Sequence, residues 1–152
     1  SRMTETSNWL RETHGPDVIL KEALKQFEDK QKQGGEYKGL VLWSVRAPVE
    51  VDFILSHHGE MVWVEASDET RYARNLKYLR VGESAIDLAE FKRQEALQWH
   101  PQPSIPAEVQ MDLSYVKQKA TQTLINNDNH KEDFLRKVDE LIKSVEAKTN
   151  PE

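Results

Sequence analysis

The chain has 152 residues, 31% of them charged and 38% hydrophobic, with a net charge of −5 and no cysteine. That size suits one ordinary domain with a single core, and the absence of cysteine excludes disulfides and thiolate metal sites. An acidic balance argues against coating nucleic acid or a membrane surface, and no apolar run reaches the roughly 20 residues of a membrane helix.

Thr4 or Ser7 can cap a first helix carrying Trp9 and Leu10. Gly15-Pro16-Asp17 breaks the chain, and Val18, Ile19, Leu20, Ala23, Leu24 and Phe27 then share one face at helical spacing. A polar, glycine-containing loop over 30–36 ends that helix. Residues 39–45 are apolar on both faces, the pattern of a strand buried in a parallel sheet, which makes Trp43 a core residue. Pro48 suits the first turn of the next helix, and His57-His58-Gly59-Glu60 reads as a turn. A second strand is expected over 61–66, with Trp63 in the core, and a helix capped by Ser67 after it. Residues 86–99 look helical and amphipathic, and 100–106 form an extended linker. Residues 121–125 are a third strand-like run, Asn126-Asn127-Asp128-Asn129 turns the chain, and Phe134, Val138, Leu141, Ile142 and Val145 line a closing helix. Strands alternating with helices imply a parallel α/β sheet. The expectation is one domain over 1–152, with a helical lid or insertion around 67–111.

Arg46 is the foremost candidate for chemistry. It follows the first expected strand, and the carboxyl ends of such strands host ligands. A guanidinium there can grip a phosphate through two charge-assisted hydrogen bonds. The alternative is a surface ion pair with Glu50, four residues on. Arg71, Arg74 and Lys77 fall on one helical face, with Arg80 beyond, a ridge able to neutralise phosphate charge. The competing reading is a solvated face balanced by Glu65, Asp68 and Glu69. Asn126 and Asn127 offer amides to a base edge or cap their own turn. His57-His58 is not a metal pair, because adjacent side chains diverge. No G-x-x-x-x-G-K-[ST] loop occurs in the sequence.

In order along the chain, these motifs resemble the nucleoside-monophosphate-kinase-like branch of the P-loop kinases, nearest to dephospho-coenzyme-A-kinase-related nucleotide kinases. Leu10-Arg11 through Gly15-Pro16-Asp17 is similar to "L-R-x-x-x-G-P-D", and Val45 to Val51 to "G-x-R-x-P-x-E-[VI]". Val64 to Arg74 resembles "V-x-A-x-x-x-x-R-x-x-R", and Leu124 to Asn127 resembles "I-x-N-[DN]". Where members of that branch carry Asp-Gly, this chain has Trp43-Ser44.

The resemblance implies a three-layer parallel α/β sheet with flanking helices, lacking the N-terminal phosphate-loop strand that would precede Ser1. It implies transfer of a phosphoryl group from ATP with Mg²⁺ to a nucleoside monophosphate or nucleotide-like acceptor, with this chain alone inactive. Arg11 and Arg46 would face the acceptor phosphate, Arg71 and Arg74 would be catalytic lid residues, and Arg80, Asn126 and Asn127 would meet the donor nucleotide. No metal ligand is assigned. A second reading is a degenerate nucleotide- or protein-binding module without catalysis, associating as a homodimer through exposed strand edges. A cytoplasmic, membrane-free setting is expected for either.

Overall fold

A computed structural model describes residues 2–79, 84–127 and 131–149. In chain order the elements are α1 (Arg2–His14), α2 (Val18–Lys32), α3 (Pro48–Ser56), β1 (Val62–Glu65) and α4 (Asp68–Lys77). They continue with α5 (Leu88–Ala96), a 3₁₀ turn (Ala107–Val109), α6 (Leu113–Lys119), β2 (Gln122–Ile125) and α7 (Lys131–Thr149). The chain divides into two compact units, Ser1–Gly59 with Leu97–Lys119, and Glu60–Ala96 with Ala120–Glu152.

The first unit is helical. Gly15 ends α1 at φ +100°, its N–H donating to the Arg11 carbonyl at 2.9 Å, and Asp17 starts α2 and pairs with Lys21 at 2.9 Å. α1 packs on α2 and on the 3₁₀ turn, and α3 packs on α6. The core of the unit is Leu20, Val51 and Val116, with Val51 wholly excluded from solvent. Pro48 opens α3 because its fixed φ and missing N–H fit a helix's first turn. Past the end of α3 the Gly59 N–H donates to the Ile54 carbonyl at 2.9 Å. A Cβ on Gly59 would lie 2.5 Å from the Ile54 Cγ2, so only glycine fits this reversal.

The second unit holds a two-stranded parallel sheet in which Val62 pairs with Gln122 and Glu65 with Ile125. α7 lies against β2. α4 and α5 pack through Tyr72, whose hydroxyl donates to the Ile86 carbonyl at 2.8 Å and whose ring lies 5.6 Å from buried Phe91. Ser67 caps α4, its Oγ accepting the Thr70 N–H at 3.2 Å, as its sequence position predicts.

The expected three-layer parallel α/β sheet is overturned. Among the described residues there are seven α-helices and only the two strands β1 and β2. The missing strand is 39–45. Ser44 sits at φ +63°, a left-handed conformation that breaks the two-residue alternation a strand needs, and no ladder engages the run. Val41 and Trp43 are 75% and 84% exposed, so Trp43 is not a core residue. Apolar character on both faces signals burial only when layers cover both faces, and here Val41 and Trp43 stay in water. The helical insertion expected over 67–111 is shared out: α4 and α5 belong to the second unit, and 97–111 to the first. Among the described residues no helix is long and apolar enough to cross a membrane.

Candidate functional site

Two of the expected phosphate-side residues, Arg11 and Arg46, converge on one carboxylate in the first unit. Glu50 is only 7% exposed. Its Oε2 accepts the N–H of Arg46 at 2.9 Å and of Ala47 at 3.1 Å, and its Oε1 accepts from the Arg11 guanidinium at 3.4 Å. Glu50 reaches back because it is the third residue of α3, where a carboxylate can satisfy the helix's first free N–H groups. Ala47 has no side-chain oxygen to return the bond. The ion pair anticipated between Arg46 and Glu50 is therefore made by Arg11 instead.

The Arg46 backbone is held from a second side, its carbonyl accepting the Asp112 N–H at 2.8 Å. Asp112 caps α6, its Oδ1 accepting the Ser114 hydroxyl at 2.6 Å and the Tyr115 N–H at 3.0 Å. Those bonds, the Ser114 hydroxyl first, hold the Asp112 carboxyl below the usual carboxylate range. Tyr115 donates to Asp52 at 2.6 Å, tying α6 to α3, and that bond pushes its phenol up. Arg46 thus projects from a backbone fixed by two helices. Its side chain is exposed, and among the described residues no carboxylate engages its guanidinium. A cation on a fixed base with no carboxylate on its guanidinium is suited to receive an anion.

Arg71 and Arg74, in the second unit, are engaged by protein groups. Arg71 bridges Asp68 at 2.6 Å and Glu95 at 2.8 and 2.9 Å. Lys92 adds contacts to Asp68 at 3.2 Å and to Glu69 at 3.3 Å. Hydrogen bonds from Arg71 and then Lys92 hold the Asp68 carboxyl low, while burial pushes Glu95 up against the pull of Arg71. Within the ridge, Arg71 is thus neutralised by carboxylates, as the balanced-face alternative has it for Asp68.

Arg74 donates to the Asn126 carbonyl at 2.9 Å and to its Oδ1 at 3.2 Å. Asn127 accepts the Ser67 N–H through Oδ1 at 2.6 Å, and the Asn126 N–H reaches the Glu65 carbonyl at 2.7 Å. The two asparagines lock the carboxyl ends of β1 and β2 to the start of α4, a long-range role distinct from local turn capping. Arg80 lies outside the described residues.

His57 Nδ1 lies 2.8 Å from the Phe53 carbonyl, a local contact, and among the described residues no group of three metal-type ligands converges. Residues that sequence reasoning passed over are Glu50 as the hub and Asp112 as the second clamp. Proline followed two places later by glutamate at a helix start was the signal for the first. Nothing local pointed to the second, because Asp112 is remote in sequence from Arg46. Comparison of the chain with protein-family models, with curated proteins and with solved structures gives no match.

Proposed function

We propose that this chain binds the phosphate of a nucleotide or nucleotide-like small molecule at Arg46, with Arg11 beside it, and acts as a binding module. The observation that carries the reading is the asymmetry among the arginines. Arg71 and Arg74 are held by Asp68, Glu95 and Asn126, whereas the exposed Arg46 guanidinium has no carboxylate partner among the described residues and its backbone is fixed at both ends. A guanidinium with no carboxylate partner has no ion pair to break on meeting an oxyanion.

The residues do not fit the ATP and Mg²⁺ that the kinase resemblance implies. Asp68 and Glu69 are occupied by Arg71 and Lys92, no three metal-type side chains meet among the described residues, and the sequence carries no phosphate loop. The reading is therefore binding without phosphoryl transfer.

Calorimetric titration with inorganic phosphate, AMP and ATP tests the reading. Wild-type protein is expected to bind at least one of them, and Arg46→Ala to weaken that binding by about tenfold, the scale of one charge-assisted contact. Binding that is undetectable in the wild type, or unchanged in Arg46→Ala, overturns it.

A further inference from the structure

We propose that residues 37–46 form a membrane-docking loop, which lays Leu40, Val41 and Trp43 into the interface of an anionic phospholipid bilayer while Arg46 meets a lipid phosphate. The loop shares Arg46 with the phosphate reading but depends on the apolar segment before it, so either can fail without the other.

The segment runs Tyr37-Lys38-Gly39-Leu40-Val41-Leu42-Trp43-Ser44-Val45-Arg46 and forms neither helix nor strand. Tyr37, Leu40, Val41 and Trp43 are all exposed. A cavity of about 270 Å³ lies between the segment and α2, lined by Ala23 and Phe27 of the helix and by Leu40 and Val41 of the segment. The protein's own helix therefore leaves these side chains uncovered. Contiguous exposed apolar groups mark an interaction surface.

Charge identifies what covers it. Although the chain carries a net charge of −5, no acidic residue occurs between Glu36 and Glu50. Among the described residues no carboxylate engages the Arg46 guanidinium. The Lys30 ammonium, on the wall of the same cavity, lies over the Tyr37 ring at 5.7 Å, also with no carboxylate on it. Both cations are open to an anion. A surface that takes apolar groups and offers anions beside them is a bilayer containing acidic phospholipids. A second copy of the segment would bring the same cations and no anion.

The order of residues follows the layers of such a bilayer. Aliphatic Leu40, Val41 and Leu42 are central, aromatic Tyr37 and Trp43 flank them, and Arg46 lies beyond. Aromatic rings with a polar handle settle where one end is apolar and the other wet, and a guanidinium keeps to the headgroups. At most about 10 Å of chain separates Trp43 from Arg46. That span covers the interfacial layer of one leaflet, roughly 5–8 Å thick. Ser44 turns the chain at φ +63°, and Glu50 and Asp112 hold the Arg46 backbone, so the loop is anchored at its cationic end.

Co-sedimentation of the full chain with mixed phosphatidylserine–phosphatidylcholine vesicles, and with phosphatidylcholine alone, tests the loop. Wild-type protein is expected to pellet with the mixed vesicles and about fivefold less with phosphatidylcholine. Val41→Asp should reduce pelleting by about tenfold or more, and Arg46→Ala by about fivefold, the worth of one cation at an anionic surface. Because the chain has no cysteine, Val41→Cys can carry a nitroxide at a single position. Mixed vesicles should shield that label from a water-soluble relaxation agent. Wild-type protein that stays in the supernatant, equal pelleting with both vesicle types, or a label that stays in water would each overturn the proposal. So would a Val41→Asp variant that keeps wild-type circular dichroism and pellets unchanged, or a label buried by self-association without vesicles. Binding of free phosphate without vesicle binding overturns this proposal alone, and vesicle binding without binding of free phosphate overturns only the phosphate reading.

Discussion

Replacing Glu50 with alanine is expected to destabilise the first unit by about 2–4 kcal/mol. The figure is assembled from the three donors that meet this carboxylate. Capping the start of α3 through the Arg46 and Ala47 N–H groups is worth roughly 0.5–2 kcal/mol. Leaving those same N–H groups without a partner in a nearly buried site costs about 1–3 kcal/mol, which sets the upper end. The Arg11 contact is longer, at 3.4 Å, and the Arg11 side chain is 25% exposed, so its share belongs with surface pairs at roughly 0.5–1 kcal/mol. Glu50→Gln keeps the volume and one acceptor but loses the charge, and should cost about half as much. For a chain of this length 1 kcal/mol moves a melting midpoint by roughly 2–4 °C, so alanine should lower it by about 5–15 °C. Compact units need not unfold together. The sharpest readout is therefore amide hydrogen exchange at Val51 and Val116, which report the core of the first unit. Exchange free energies within about 0.5 kcal/mol of wild type in Glu50→Ala, or a Gln variant as damaged as the Ala variant, would refute the assignment of Glu50 as the hub.

Ser44→Gly should stabilise the chain by about 0.5–1 kcal/mol, the left-handed cost of a side chain at φ +63° less the extra backbone entropy of glycine, read from urea midpoints; a destabilised variant would contradict it. The carboxyl groups of α5 should titrate far apart in carbon-detected NMR. Arg93, aided by Gln94, holds Glu90 at about 2, while burial lifts Glu95 above the ordinary value of 4.5. Glu90 binds fewer protons folded than unfolded, so its contribution is present above the unfolded value and is lost as pH falls toward 2. Glu95 has the opposite sign, its folded form losing stability as pH rises from 4.5 through its raised value. Titration of Glu95 below Glu90 would contradict both assignments.

Helices were readable where a start signal and a periodic face coincide. The apolar spacing from Val18 to Phe27 yields α2, Ser67 with Asp68 and Glu69 yields the start of α4, and the stripe from Phe134 to Val145 yields α7. These features act within one or two turns, so neighbouring residues suffice to specify them. Two of the three strand-like runs, 61–66 and 121–125, also formed, because each finds the other as a parallel neighbour.

Residues 39–45 show where that logic stops. Their composition is as strand-like as that of β1, yet a strand exists only by sharing backbone hydrogen bonds with a neighbour, and a neighbour is a property of the fold. The pattern of this sequence by itself determined the helix faces, the caps and the position of Arg46 before Pro48. The tertiary structure alone decided that Glu50 would take Arg11 rather than Arg46, that Asp112 would clamp the Arg46 carbonyl, and that Arg74 would meet Asn126. Those pairings join residues far apart in the chain, and only packing brings their charges within reach of one another.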